Sequence, residues 1–261
     1  MNPFAHFEGV LVINLPHKIG RRERVMERLA EIGADVKRLI FIDGVRPQDV
    51  KVPSWWTDKW TMNGNGKTHD CRLPVGAYGA LCAHKNALEY AIQNSIDPVL
   101  ILEDDAVFCH GFAKRLLVFM DMVPTNWDCV HLRSTLVSGL CEFENVSTGI
   151  VRLLKGWSQV AVGYREKYRH VAVQALHGQQ HFSPPMSLDY RLSLLHRDYN
   201  VYAADPALVG HESIDSDVHG GVRVVKQESC VDDVSGWSAS RDGTVSRGDL
   251  IRARTAAFGP A

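Results

Sequence analysis

The chain has 261 residues, with 29 Lys+Arg against 30 Asp+Glu and a formal net charge of −1, which excludes a bulk polycation that grips nucleic acid through a general basic surplus. Apolar residues at 45% and charged residues at 23% are ordinary globular values, and no window holds the ~18 consecutive apolar residues of a membrane span. At ~150 residues per domain, this length suits one substantial core that buries roughly 70–75% of the unfolded surface.

Residues 1–8 carry neither a basic region nor a small-residue cleavage site, so a cytoplasmic location, free or peripheral at a membrane, is expected. The six cysteines include no C-x-x-C pair, which disfavours a structural zinc site and leaves free, mostly buried thiols.

In chain order, Val10-Leu11-Val12-Ile13-Asn14-Leu15 is a short β-branched apolar run ending at Pro16, and it reads as a buried strand. Val25, Met26, Leu29 and Ile32 then recur at helical spacing, with Gly33 as the stop. Leu39-Ile40-Phe41-Ile42 follows as a second strand, so this opening is a βαβ unit with parallel strands. Residues 45–75 lose all periodicity and are expected to form an irregular loop. Its tryptophans Trp55, Trp56 and Trp60 are read either as anchors to the core or as a stacking surface for a sugar or base.

A helix is expected over residues 76–94, with Leu81, His84, Leu88, Ala91 and Ile92 as its apolar stripe. Val99-Leu100-Ile101-Leu102 is a strand that runs directly into Glu103-Asp104-Asp105. A helix over residues 111–122 and a strand over residues 127–132 come next. The second half offers a strand at residues 159–164, helices at 170–176 and 187–195, and a final strand at Val201-Tyr202-Ala203. Residues 1–230 are expected to form one domain, and residues 231–261, polar and poor in large apolar groups, a peripheral or partly disordered tail.

Three consecutive carboxylates at the end of a hydrophobic strand are not a packing feature, because each buried charge needs a partner. Ligands of open α/β sheets bind at the carboxyl ends of the parallel strands, where these side chains are delivered. Extended geometry through the tripeptide would turn Glu103 and Asp105 to one side and Asp104 to the other. One carboxylate would accept from a ribose while another ligates a divalent ion held mainly by a nucleotide diphosphate. A solvent-facing acidic loop is the plainer alternative.

Taken together, several segments resemble the ordered motifs of glycosyltransferase family 25. They are Val12-Ile13-Asn14-Leu15 with Arg21 and Arg22, Asp43-Gly44, Gly76-Ala77-Tyr78-Gly79-Ala80-Leu81-Cys82-Ala83-His84, Leu100-Ile101-Leu102-Glu103-Asp104-Asp105-Ala106 and Trp127-Asp128. Gly163-Tyr164-Arg165, Asp189, Pro206-Ala207-Leu208-Val209 and Ser216-Asp217 follow in looser agreement. The resemblance implies an α/β fold of the GT-A type, Rossmann-like, with a mostly parallel central sheet flanked by helices. It also implies a metal-dependent, inverting transfer of a hexose, glucose or galactose, from a UDP-sugar to a hydroxyl acceptor, with Mn²⁺ or Mg²⁺ as the cofactor. A saccharide acceptor is expected; a hydroxylated DNA base, a protein side chain and a catalytically idle binding module are the alternatives. Nucleic acid is not indicated by the net charge, and a homodimer stays open.

On that resemblance Asn14 and Leu15 would contact uracil and ribose, and Arg21 or Arg22 the phosphates, although both arginines suit a solvated helix start equally well. His84 is either a core histidine or a donor-site residue, placed with Glu103 and Asp104 on the nucleotide. Asp105 and His211 would share the metal. Asp189, in Pro184-Pro185-Met186-Ser187-Leu188-Asp189-Tyr190, is the candidate base that deprotonates the acceptor, or else part of a helix cap.

Overall fold

A computed structural model describes residues 2–53, 56, 59–64, 67–72, 75–134, 136, 141–177 and 187–212. Strand β1 (Gly9–Asn14), helix α1 (Ile19–Glu31) and strand β2 (Leu39–Asp43) form the expected βαβ unit, with β1 and β2 parallel. The hairpin β3 (Lys59–Gly64) and β4 (Lys67–Arg72) precedes α2 (Val75–Gln93). Strand β5 (Val99–Glu103), β6 (Ala106–Phe108), α3 (Phe112–Met122), β7 (Cys129–His131), β8 (Glu142–Ser147) and β9 (Ile150–Lys155) come next. Then follow β10 (Ala161–Tyr164), α4 (Glu166–Leu176), α5 (Leu188–Ser193), β11 (Val201–Ala204) and β12 (Val209–His211).

Eight strands form the central sheet in the order β2-β1-β5-β10-β7-β11-β9-β8. Six of them run in one direction, and β10 and β9 oppose their neighbours. The sheet is thus largely parallel, as the sequence suggests, but its middle is interrupted by a reversed strand. That reversal brings the start of β10 to the edge where β5 and β7 end.

Both faces of the sheet are covered, which is why β1 and β5 read as continuous apolar runs. Leu11, Ile13, Val99 and Ile101 pack on one face with Leu81, Leu88 and Ala91 of α2, Tyr168 and Ala172 of α4 and Leu192 of α5. Val10, Val12, Leu100 and Leu102 pack on the other with Val25 and Leu29 of α1 and Leu116 and Phe119 of α3. Complete burial of one such Leu or Ile contributes about 1.5–3 kcal/mol. Arg169 of α4 is buried between layers. It pairs with Asp97 at 3.2 Å and donates to the carbonyls of Ala91 and Ile96, tying α4 to the end of α2.

Three local expectations change. Residues 45–75 are not wholly irregular, since they contain the β3–β4 hairpin. Asn65-Gly66 lies between its strands in sequence, and Asn-Gly is the strongest short hairpin signal. The hairpin of β8 and β9 turns at Gly149, whose φ of 82° suits glycine, and it adds two strands that the sequence reading leaves unassigned. Val201–Ala204 is not the final strand, because β12 follows and pairs antiparallel with β6. Trp56 is buried edge-to-face against Tyr78, which supports the anchor reading for that residue. Trp55, Ser216, Asp217 and the tail 231–261 lie outside the described residues, as does the side chain of Trp60.

Candidate functional site

Strand β5 ends at Glu103, and Asp104-Asp105 form the turn into β6. Strict alternation therefore does not extend through the tripeptide, and each carboxylate meets a different environment. Glu103 continues the side of β5 that faces α2, where its Oε1 lies 3.0 Å from Nε2 of the buried His84. Burial opposes its ionisation, but the His84 hydrogen bond and the charges of His84, Arg21 and His211 outweigh it and hold the carboxyl below its usual range.

Asp104 turns to the α1 side. Its Oδ2 accepts from Asn14 Nδ2 at 2.7 Å, and its Oδ1 pairs with Arg21 at 2.8 Å. Asn14 closes β1 with its side chain on Asp104 and its carbonyl accepting from Gly44 N–H at 2.8 Å. Leu15 follows, its carbonyl receiving Lys18 N–H at the start of α1. Arg22, one residue from Arg21, points elsewhere, with its guanidinium 3.9 Å from the centroid of Phe41. The two arginines are thus separated: Arg21 joins the acidic cluster and Arg22 stacks on β2.

Asp105 has a buried Oδ1 with no hydrogen-bond partner among the described residues. Burial, followed by repulsion from Glu103 and Asp104, raises its pKa to about 8. A cation at this oxygen would relieve both causes. His211 reaches the same turn on β12, where it is the register partner of Ala106. Among the described residues no group of three or more His, Cys, Asp or Glu side chains is arranged to hold a metal. One orphaned carboxylate oxygen beside an imidazole-bearing strand is nonetheless a suitable oxygen and nitrogen donor pair for Mn²⁺ whose remaining ligands come from a diphosphate.

Asp189 joins this edge from the opposite end of the chain. The N-cap of α5 is Ser187, whose Oγ accepts from Tyr190 N–H at 3.4 Å, and Asp189 is the acidic residue of the first turn, where it suits the helix start without being the N-cap. Its Oδ1 instead accepts the backbone N–H of Ser158 at 2.8 Å. Burial and then the charge of Glu103 raise its pKa, against the Ser158 hydrogen bond, His84 and Gln159. Glu103, His84 and Asp189 are therefore electrostatic neighbours although they come from β5, α2 and α5.

Ser158 and Gln159 are residues that the sequence reading misses. They precede β10, and its reversed direction brings them to the edge where β5 ends, with Val160 O accepting Glu103 N–H at 2.9 Å. Ser158 has a φ of 100°, and its buried Oγ has no hydrogen-bond partner among the described residues. Its carbonyl accepts from His131 Nδ1 at 3.1 Å. A non-glycine residue at positive φ is costly, and such strain concentrates at functional positions.

The sequence model described as glycosyltransferase family 25 (LPS biosynthesis protein) matches residues 7–160, from before β1 to the start of β10. The chain belongs to glycosyltransferase family 25. Procollagen galactosyltransferase 2 of Mus musculus is 22% identical over 222 residues, covering 78% of this chain and 35% of the relative. The inactive glycosyltransferase 25 family member 3 of Homo sapiens is 27% identical over 152 residues, covering 51% of this chain and 24% of the relative. The chain thus spans about a third or less of the length of these curated relatives. Among solved structures, a glycosyltransferase involved in the glycosylation of the major capsid of PBCV-1 aligns with 76% of this chain and 92% of its own. Its TM-score is 0.39 at 8% sequence identity.

Proposed function

We propose that this family 25 chain is a metal-dependent, inverting hexosyltransferase that uses a UDP-sugar and a hydroxyl acceptor. The observation that carries the reading is the convergence of Asp189 with Glu103 and His84 beside the orphaned carboxylate oxygen of Asp105. The glycosyl donor needs charge compensation on its diphosphate, and the acceptor needs a base on the opposite face of the anomeric carbon. Asp105 and His211 would hold the divalent ion, Mn²⁺ or Mg²⁺. When bound, that ion offsets negative charge developing on the departing diphosphate.

Glu103 and His84 form a paired wall of the donor site. Asp104 serves the site indirectly, since Asn14 and Arg21 hold it and thereby fix the turn that aims Asp105. Asp189 takes the proton of the acceptor hydroxyl, and its raised pKa makes it a stronger base than an exposed aspartate. Among donors, galactose is favoured by the names of the procollagen galactosyltransferase relatives. The family description, LPS biosynthesis, favours a saccharide acceptor. No helix among the described residues is long and apolar enough to cross a membrane, which is compatible with an acceptor met in solution or at a membrane surface.

A donor screen read by UDP release, with Mn²⁺, Mg²⁺ or chelator, tests the proposal. Chelator-sensitive release from UDP-galactose or UDP-glucose supports it. Metal-independent release would overturn the metal requirement while leaving a transferase, and no release with any donor despite UDP binding would favour an idle binding module, the class named by the inactive relative.

A further inference from the structure

Helix α1 carries Arg21, Arg24 and Arg28 at spacings of three and four residues, which puts all three on one helical face. That face meets two acidic positions from distant parts of the chain. Arg21 pairs with Asp104 at 2.8 Å, while Arg28 and Arg24 reach Glu212 at 2.8 and 3.4 Å. Arg28 also donates to the carbonyl of Ala106 at 3.4 Å. Glu212 is bound at both ends, because its own N–H donates to Asp105 O at 2.8 Å. It immediately follows His211, whose register partner on β6 is Ala106.

We propose that Glu212 is a positioning residue that fixes His211 against the Asp104-Asp105 turn, with α1 as the rigid element that holds both. Three features carry this. Strand β12 spans only three residues and pairs with a strand equally short, so its ladder alone is a weak clamp. The Glu212 carboxylate receives two guanidinium partners while partly shielded from water, at 28% side-chain exposure. The same helix face restrains Asp104 through Arg21, so one element sets the separation between the two proposed metal-bearing segments. The role is distinct from ligation, since the carboxylate of Glu212 is directed to α1. This inference rests on the proposed function, in which Asp105 and His211 share a divalent ion.

The test is titration of MnCl₂ into the full chain with UDP present, followed by calorimetry and by the electron paramagnetic resonance of free Mn²⁺, with Tm measured in parallel. Glu212→Gln keeps the shape and removes the charge. It should weaken Mn²⁺ binding by roughly 10- to 100-fold, the usual effect of losing a residue that orients a ligand, and it should lower Tm little. Arg28→Ala, which removes the 2.8 Å partner of Glu212, should weaken Mn²⁺ binding as well, and combining it with Glu212→Gln should add little further loss, because the two residues act as one unit. Unchanged Mn²⁺ affinity in Glu212→Gln, while His211→Ala loses it, overturns the inference and leaves the proposed function standing. Absence of Mn²⁺ binding to the unmodified protein overturns both.

Discussion

The carboxylate of Asp189 holds the backbone N–H of Ser158 at 2.8 Å, joining the first turn of α5 to a residue whose φ is 100°. Asp189 is thus both a carboxylate whose pKa is raised by burial and by Glu103 and the support of a strained loop, and the two roles separate by substitution. Asp189→Asn retains an oxygen that can accept from Ser158 but cannot take a proton. UDP release to acceptor should fall by roughly 10²–10⁴-fold, with UDP-sugar affinity unchanged in calorimetry. Asp189→Ala should in addition lower stability by about 1–3 kcal/mol by orphaning the Ser158 N–H. The acid limb of kcat/KM should lie above the ordinary aspartate value of 3.8, because a base raised by burial and by Glu103 is deprotonated only at higher pH. Loss of donor affinity in the Asn variant would reassign Asp189 to binding.

Arg21 is committed to Asp104, whose side chain is 7% exposed. Removing the cation takes a charge partner from that carboxylate, while the Asn14 amide still donates to it at 2.7 Å. Arg21→Ala should therefore destabilise by about 3–5 kcal/mol, the usual effect of breaking a largely buried pair. Arg21→Ala combined with Asp104→Asn should recover part of that loss, because the uncompensated charge is gone. Denaturant unfolding of the two variants decides the matter; additive losses would show that the pair is not coupled.

His131 and His196 pack edge-to-face at 5.4 Å with both rings buried. Burial lowers His131 to about 4, against hydrogen bonds to the backbone at Ser158 and Arg133. Burial and then His131 lower His196 as well. Above pH 6.5 both histidines are neutral in the folded and unfolded chains, and they contribute no pH dependence. Below it the unfolded chain takes up protons that the folded chain refuses, so stability falls as pH drops from 6.5 toward 4. The loss is on the order of 3 kcal/mol for His131 alone. His196→Phe removes one of the two sites and should flatten the decline in Tm between pH 7 and pH 4.5. An unaltered slope would mean that His196 is not held neutral.

Gly163 sits in β10 where an added Cβ would lie 2.5 Å from Phe7 Cε1 and 2.7 Å from Val130 Cγ2. Gly163→Ala should cost about 1–3 kcal/mol through overpacking. Phe7→Leu in the same chain should return part of it, as read by urea unfolding. Equal losses in the single and double variants would show that Phe7 is not the obstacle.

Much of the scaffold is legible in the sequence because its signals are local. The apolar run 10–13 and the helical spacing of Val25 and Leu29 identify the opening βαβ unit, and the run 99–102 marks the strand that delivers the carboxylates. The β8–β9 hairpin is harder to read: β8 is mostly exposed, and its Glu142-Phe143-Glu144-Asn145-Val146-Ser147 run lacks a continuous apolar signal. Glu212 and Ser158 carry no signal of their own. Glu212 is one acid among many, and Ser158 is a small polar residue in a loop, so their importance comes only from what lies opposite them.

Local chemistry by itself determined that three carboxylates would leave a buried strand at the ligand edge of an α/β sheet, because a 2.0-residue apolar period and its interruption depend on neighbouring residues alone. The tertiary structure decided which carboxylate is held, which is exposed to a new charge and which partners meet them. Arg21 takes Asp104, His84 takes Glu103, and Asp105 keeps an orphaned oxygen. Those assignments depend on the reversal of β10, the pairing of β12 with β6 and the packing of α5, and each joins residues tens of positions apart. No sequence period encodes them, since the free energy that selects them comes from non-local burial and from hydrogen bonds that exist only once the sheet is assembled.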